Sequence, residues 1–229
     1  MALAGVPNRV PKLKLIYFDI QGLAARIRIA ARVGNVVMDD YRFPSRDIFT
    51  AMKASGELPF GQVPLLVIDD TSKLAQSSAI LRYICTLGGL HPKEDALLAA
   101  KIDAALAAEG DAFAAHGAIK YNARNGLGFL DDAQIKKAFH EQITEILPRH
   151  FSFLERSLET SASGWICGTE KPSAADFAWG TKLRDISLGG DATIPSQMLD
   201  QFPNILKFLS KFLTFPEIQS YYQAFPAKS

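Results

Sequence analysis

Leu58-Pro59-Phe60-Gly61-Gln62-Val63-Pro64, followed after a short turn by Gln76-Ser77-Ser78-Ala79-Ile80, is the stretch on which the reading of this chain turns. Its first half is a loop that passes into a strand through a Val-Pro bond. Its second half opens a helix. A proline at the start of a strand lacks a ladder donor and belongs at an edge, and an X-Pro bond adopts the cis form at a cost of only about 0.5–1 kcal/mol. A cis Val63-Pro64 bond would turn the Val63 backbone outward, where an extended peptide can pair with it as a strand does. The helix opening at Gln76-Ser77 would add unpaired N–H groups and a partial positive charge, a place for a carboxylate. An ordinary turn proline and a plain cap, with Ser77 as the capping residue, are the alternatives for the two halves.

Upstream, Lys12 to Phe18 alternates polar and apolar residues and then turns apolar, as a strand entering a core does. Gly22 opens an amphipathic helix carrying Leu23, Ile27, Ala30 and Ala31, which stops at Gly34-Asn35. Val36 to Phe43 reads as a second strand, Ser45 to Lys53 as a short helix, Val63 to Ile68 as a third strand and Lys73-Leu74 as a fourth. From Ser77 a helix runs to Gly88-Gly89. This βαβαββα order fits a small mixed sheet with helices packed on it.

Beyond His91-Pro92 the strand signals stop. Asp95 to Asn122 is Ala-rich and helical. Asp132 to Thr160 places Ile135, Phe139, Ile143, Leu147, Leu154 and Leu158 at helical spacing, with Pro148 predicting a kink. Ser173-Ala174-Ala175-Asp176 is a capping-box variant that starts another helix, and shorter helices follow to Ala224. The expected organisation is an α/β domain over residues 11–89, a linker, and an all-helical domain over 94–225.

Of the 229 residues, 48% are hydrophobic and 21% charged, with a formal charge of +1. That balance leaves no electrostatic footprint for nucleic acid or an anionic membrane. No stretch reaches the roughly 20 apolar residues of a membrane span, and Met1 to Pro11 lacks the apolar core of a signal peptide. A cytoplasmic protein is expected. Cys85 and Cys167 make no disulfide framework, and Cys85, inside an apolar run, reads as a core residue. No phosphate-binding glycine loop, zinc spacing or nucleophile elbow is present. His91, His116, His140 and His150 are scattered, so no metal is expected. Tyr17, at the end of the first strand, stands where open sheets bind ligands, either as a hydrogen-bond donor or as a packing aromatic.

Together these pieces resemble the cytosolic glutathione transferases, most closely the sigma class. The matching residues are Tyr17-Phe18-Asp19-Ile20-Gln21-Gly22-Leu23-Ala24 with Ile27-Arg28, then Leu58–Pro64, Gln76–Ile80 with Arg82-Tyr83, and Ser173–Asp176 with Phe177. They come in family order across nearly the whole chain. The resemblance implies a thioredoxin-like domain followed by a helical one, and conjugation of glutathione to small hydrophobic electrophiles. Glutathione would be a co-substrate and no cofactor would be needed. Tyr17 would hydrogen-bond the sulfur. Gln76 and Ser77 would hold the γ-glutamyl carboxylate, and Val63 with a cis Pro64 would pair with the cysteinyl unit. Lys53, Gln62 and the position of Phe49 would meet the glycyl end. Asp111 would reach the γ-glutamyl amine bound to the other subunit of a homodimer keyed by Phe60. The electrophile would lie among the loop after Tyr17, the segment from Phe113 to Tyr121, and Tyr221, Tyr222 and Phe225.

The chain departs from the sigma pattern in three places. Leu23 replaces an arginine, Phe49 replaces a tryptophan and so cannot donate, and the loop from Lys53 to Pro59 is longer than usual for the class by about two residues. Glutathione-dependent isomerisation of prostaglandin endoperoxides, and a non-enzymatic crystallin-like role, are the alternatives the resemblance carries.

Overall fold

The structure is a computed structural model and describes residues 10–225; most of the Met1 to Pro11 stretch therefore lies outside the described residues. Strands β1 (Leu13–Phe18), β2 (Asp39–Phe43), β3 (Leu65–Ile68) and β4 (Ser72–Ala75) form one mixed sheet in the order β2-β1-β3-β4. β2 runs parallel to β1 with Tyr17 opposite Arg42, and β3 runs antiparallel to β1 with Ile16 opposite Leu65. Helices α1 (Ala24–Val33), α2 (Arg46–Ala54) and α3 (Ser77–Leu87) complete the βαβαββα unit. The rest is helical: α4 (Ala96–Lys120), α5 (Asp132–Glu141), α6 (Leu147–Glu159), α7 (Ala174–Ser187), α8 (Pro203–Thr214) and α9 (Pro216–Ala224). The α/β-then-helical architecture read from the sequence is the one observed.

Strand parity divides the core. Successive side chains of a strand point to opposite faces. Leu13, Leu15 and Tyr17 therefore join Leu66, Ile27 and Ile80 on the face covered by α1 and α3. Ile16 points the other way, into a smaller cluster with Phe43, Leu58 and Leu65 beside Ile48 and Phe49 of α2. This alternation puts the Tyr17 phenol on the face turned toward the helical half, where α1 packs against α7 and α9.

β2 starts at Asp39, three residues later than Val36. The intervening chain closes the end of α1: the Val36 amide donates to Ala31 O at 2.8 Å, and Asn35 takes a positive φ of 51°. β3 starts at Leu65, because Pro64 brings no N–H to the ladder. The long helix expected over 132–160 is interrupted by a π-helical turn, Gln142–Ile146, between α5 and α6. Pro148 is the second residue of α6. Its ring would crowd a carbonyl four residues back in a straight α-helix, and the wider turn removes that conflict. The turn also buries Gln142, whose Nε2 donates to Ala112 O of α4 at 2.9 Å.

α7 is the central helix of the helical half, in contact with α1, α4 and α8. Gly180 lets it approach α8: a Cβ there would come within 2.6 Å of the Phe212 ring. At its start Asp176, fully buried, accepts from Ser173 N (2.7 Å), Ser173 Oγ (2.7 Å) and Ile166 N (2.8 Å). The cap predicted from sequence therefore also ties down the loop before α7.

Candidate functional site

Three segments meet at a crevice on the edge of the α/β unit. It is lined by Leu23, Phe60, Gln62, Val63, Pro64, Ala75, Gln76 and Ser77. The Val63-Pro64 bond is cis. Gln76, between β4 and α3, has a φ of 74°, a region that non-glycine residues occupy at a cost of about 1–3 kcal/mol and mostly at functional sites. Ser77 is the first residue of α3, with Gln76 in the capping position and no side-chain cap bond. Ser77 is thus not the cap, and the first amides of the helix are left facing outward for an anion.

Tyr17 reaches the same place from β1. Its hydroxyl accepts a hydrogen bond from Leu23 N at 3.3 Å, and Leu23 itself lines the crevice. Gly22 sits beneath the phenol at a φ of 42°, and a Cβ there would lie 2.6 Å from the Tyr17 oxygen; the glycine is required by conformation and by space. Arg28 fixes the loop after Tyr17. It donates to Ile20 O (2.7 Å), Phe18 O (3.4 Å) and the Asp40 carboxylate (3.0 Å), with its guanidinium 5.9 Å from the Tyr17 ring centre. Burial pushes the Tyr17 phenol above its usual range; the Leu23 amide and the Arg28 charge oppose this only in part. The phenol is therefore neutral at physiological pH and keeps its proton to donate.

The remaining residues fall around this centre unevenly. Gln62, Val63, Pro64, Gln76 and Ser77 come together as the sequence reading expected. Lys53, exposed on α2, runs beside the loop: a Cβ on Gly61 would lie 3.3 Å from its Cε. Phe49 turns instead into the smaller core cluster, with ring centres 5.1 Å from Phe18 and 6.0 Å from Phe43. Asp111 is exposed on α4. Leu23, where the resemblance expects an arginine, is an exposed apolar side chain at the crevice. Phe60 is 64% exposed.

The aromatic segments expected around an electrophile are largely spoken for. Phe113 is buried against Phe151 and Trp179. Tyr221 donates to Gln21 Oε1 at 2.7 Å while Gln21 Nε2 donates to Phe225 O at 2.7 Å, so the end of α9 is laced to the loop after Tyr17. Tyr222 lies under the Arg184 guanidinium at 3.7 Å. The sequence reading missed a buried bidentate pair across the two halves, Arg26 of α1 to Glu109 of α4 at 3.0 and 3.1 Å. It also missed Lys182 on the Phe113 ring, 4.6 Å from its centre. No local signal marks them, because a charge on an amphipathic helix reads as solvated until a second helix covers it.

Among the described residues no group of three or more His, Cys, Asp or Glu can hold a metal, and no helix is long and apolar enough to cross a membrane. Cys85 is buried, and burial raises its thiol far above the usual range; Cys167 is pushed up to about 11. Neither supplies a reactive thiolate at neutral pH.

The family model "Glutathione S-transferase, N-terminal domain" matches residues 13–86, and "Glutathione S-transferase, C-terminal domain" matches 124–224. A glutathione S-transferase P of Caenorhabditis elegans is 30% identical over 211 residues, covering 91% of each chain. The hematopoietic prostaglandin D synthase of Gallus gallus is 26% identical over 220 residues, 95% of this chain and 98% of its own. In structure, the chain is similar to a monomeric glutathione S-transferase of the hookworm Necator americanus, with a TM-score of 0.75, 26% identity and coverage of 95% and 99%. Matched in both halves, and to a relative over 91% of its length, the chain belongs to the glutathione S-transferase family.

Proposed function

We propose that the chain binds glutathione in the Leu23–Pro64–Ser77 crevice and joins its sulfur to a small, largely apolar electrophile. The observation that carries this reading is the meeting of three elements at one point: a neutral buried phenol, the backbone at a cis Val63-Pro64 bond, and an uncapped helix N-terminus behind a strained Gln76. Gln76 and Ser77 would hold the γ-glutamyl carboxylate and Val63 would pair with the cysteinyl backbone. Lys53 and Gln62 flank the glycyl end. Phe49 is turned into the core beside Phe18 and Phe43 and offers no donor there, so the glycyl end rests on Lys53 and Gln62.

The Tyr17 O–H would donate to the sulfur. A free thiol titrates near pKa ~8.5, and a hydrogen bond to the charged form lowers that value. The thiol proton leaves to solvent. The thiolate then forms the S–C bond and, with an aryl halide, halide departs. Difference absorbance of bound glutathione titrated through pH tests this. The thiolate band should appear well below the free-thiol range, and a bound thiol titrating like the free one sinks the mechanism.

The similarity to a prostaglandin D synthase favours a second reading, in which the same thiolate opens an endoperoxide and is regenerated. Product analysis with an endoperoxide beside an aryl halide separates the two. A cytoplasmic setting suits the two unpaired thiols. Asp111 reaches a ligand only across a dimer, for which the exposed Phe60 is the fitting contact. Light scattering at micromolar concentration should give twice the 25.0 kDa chain mass; the single-chain mass removes both the dimer and the Asp111 role.

A further inference from the structure

One face of α4 passes the start of α1. Glu109, Phe113 and Gly117 follow at four-residue spacing and so share one side of the helix. Arg26 grips Glu109 at one end of this stripe. Arg26 follows three residues after Leu23, whose amide meets the Tyr17 hydroxyl, so Glu109 and the turn of α4 after it stand on the Tyr17 side of α1. There the Lys182 ammonium sits on the Phe113 ring. One turn further on, the stripe is open: a Cβ on Gly117 would meet no atom within 4 Å.

The charged groups around this stretch are paired, except for Lys182. Of the carboxylates near Lys182 (Glu109, Asp185 and Asp191), each has a cation of its own, Asp191 being held by Lys120 and His116. Arg26 is matched to Glu109, and Arg184 lies 3.8 Å from Asp185. Lys182 has no carboxylate within 4.0 Å among the described residues, only the ring. It is half-buried, and its desolvation pulls the ammonium below its usual range despite the more distant Glu109, Asp185 and Asp191. Arg26, which grips Glu109 one turn from Phe113, keeps its Nε buried with no acceptor among the described residues. An ammonium taken partly out of water regains stability from an anion brought to it, and a buried N–H left unanswered is costly enough to favour one.

We infer that the electrophile for this site carries an acidic group on its apolar body, received by the Lys182 ammonium above Phe113, with the gap at Gly117 leaving room for the body. This rests on the transferase reading and narrows its substrate class from hydrophobic electrophiles to anionic ones: carboxylate, sulfonate or phosphate.

The test uses a matched pair, chlorodinitrobenzene and chlorodinitrobenzoate, together with their glutathione conjugates as unreactive ligands. Calorimetry on the full chain should give the carboxylated conjugate an affinity about tenfold above the neutral one, about 1.4 kcal/mol. Lys182→Met should erase that preference and Lys182→Arg should keep it. The ratio of kcat/KM for the benzoate over the benzene should fall by the same factor in Lys182→Met. Equal affinities for the two conjugates in the unaltered protein, or a preference that survives Lys182→Met, overturns the inference. A preference for the anionic conjugate without turnover of either electrophile supports the anion site and counts against the transferase reading instead.

Discussion

Replacing Tyr17 by phenylalanine is expected to lower turnover by tenfold or more while glutathione still binds. The substitution removes one oxygen from a residue only 7% exposed, and the ring that packs with Phe18 at 5.6 Å stays in place. The Leu23 amide loses an acceptor at 3.3 Å, a long and weak bond. The groups assigned to the rest of glutathione, on the Val63 backbone and at the start of α3, are untouched. What is lost is a hydrogen bond to a charged sulfur, a contribution of about 1.5–3 kcal/mol. At about 1.36 kcal/mol per factor of ten, that is roughly one to two orders of magnitude in rate. The thiolate titration should move back toward the free-thiol value in the same variant. Unchanged kcat with a general aromatic electrophile would show that Tyr17 is not the activating group.

Asp176→Ala is expected to have the largest effect on stability. The carboxylate is fully buried and answers three donors, Ile166 N, Ser173 N and Ser173 Oγ, all within 2.8 Å. Alanine leaves these without an acceptor in a place water does not reach. Each unanswered buried donor costs about 1–3 kcal/mol, reduced by whatever local relaxation allows. We expect a loss of about 3 kcal/mol, which for a chain of this size lowers the melting midpoint by roughly 6–12 °C. The site lies far in sequence from Tyr17, so residual folded protein should retain glutathione binding. A midpoint within a degree of the unaltered protein would mean that the cap does not hold α7.

Arg26 and Glu109 show what the sequence withholds. Nothing around Arg26 in AARIRIAARV marks it as buried, and the same helix carries Arg28 and Arg32, which go to quite different partners. Only when α4 and α7 close over α1 do a solvated-looking arginine and a solvated-looking glutamate become a bidentate pair. Lys182 follows the same rule: a lysine reads as solvated from sequence, and here it rests on the Phe113 ring with no carboxylate within 4.0 Å among the described residues. The end of α9 was legible as aromatic, but its lacing to Gln21 depends on where the helical half brings Tyr221.

The sequence by itself determined the parts whose cause is local. The period-two pattern of β1 put Tyr17 on the α1 face. Pro64 set where β3 begins, Gly22 made room under the phenol, and Ser173 with Asp176 started α7. Each of these follows from the geometry of a few adjacent residues. Tertiary structure alone decided how charges from distant segments meet, because pairing and desolvation depend on separations through space that no local pattern encodes. For that reason the crevice proposed for glutathione could be outlined from its motifs, while the charged floor proposed for the second substrate came into view only once α1, α4 and α7 were packed together.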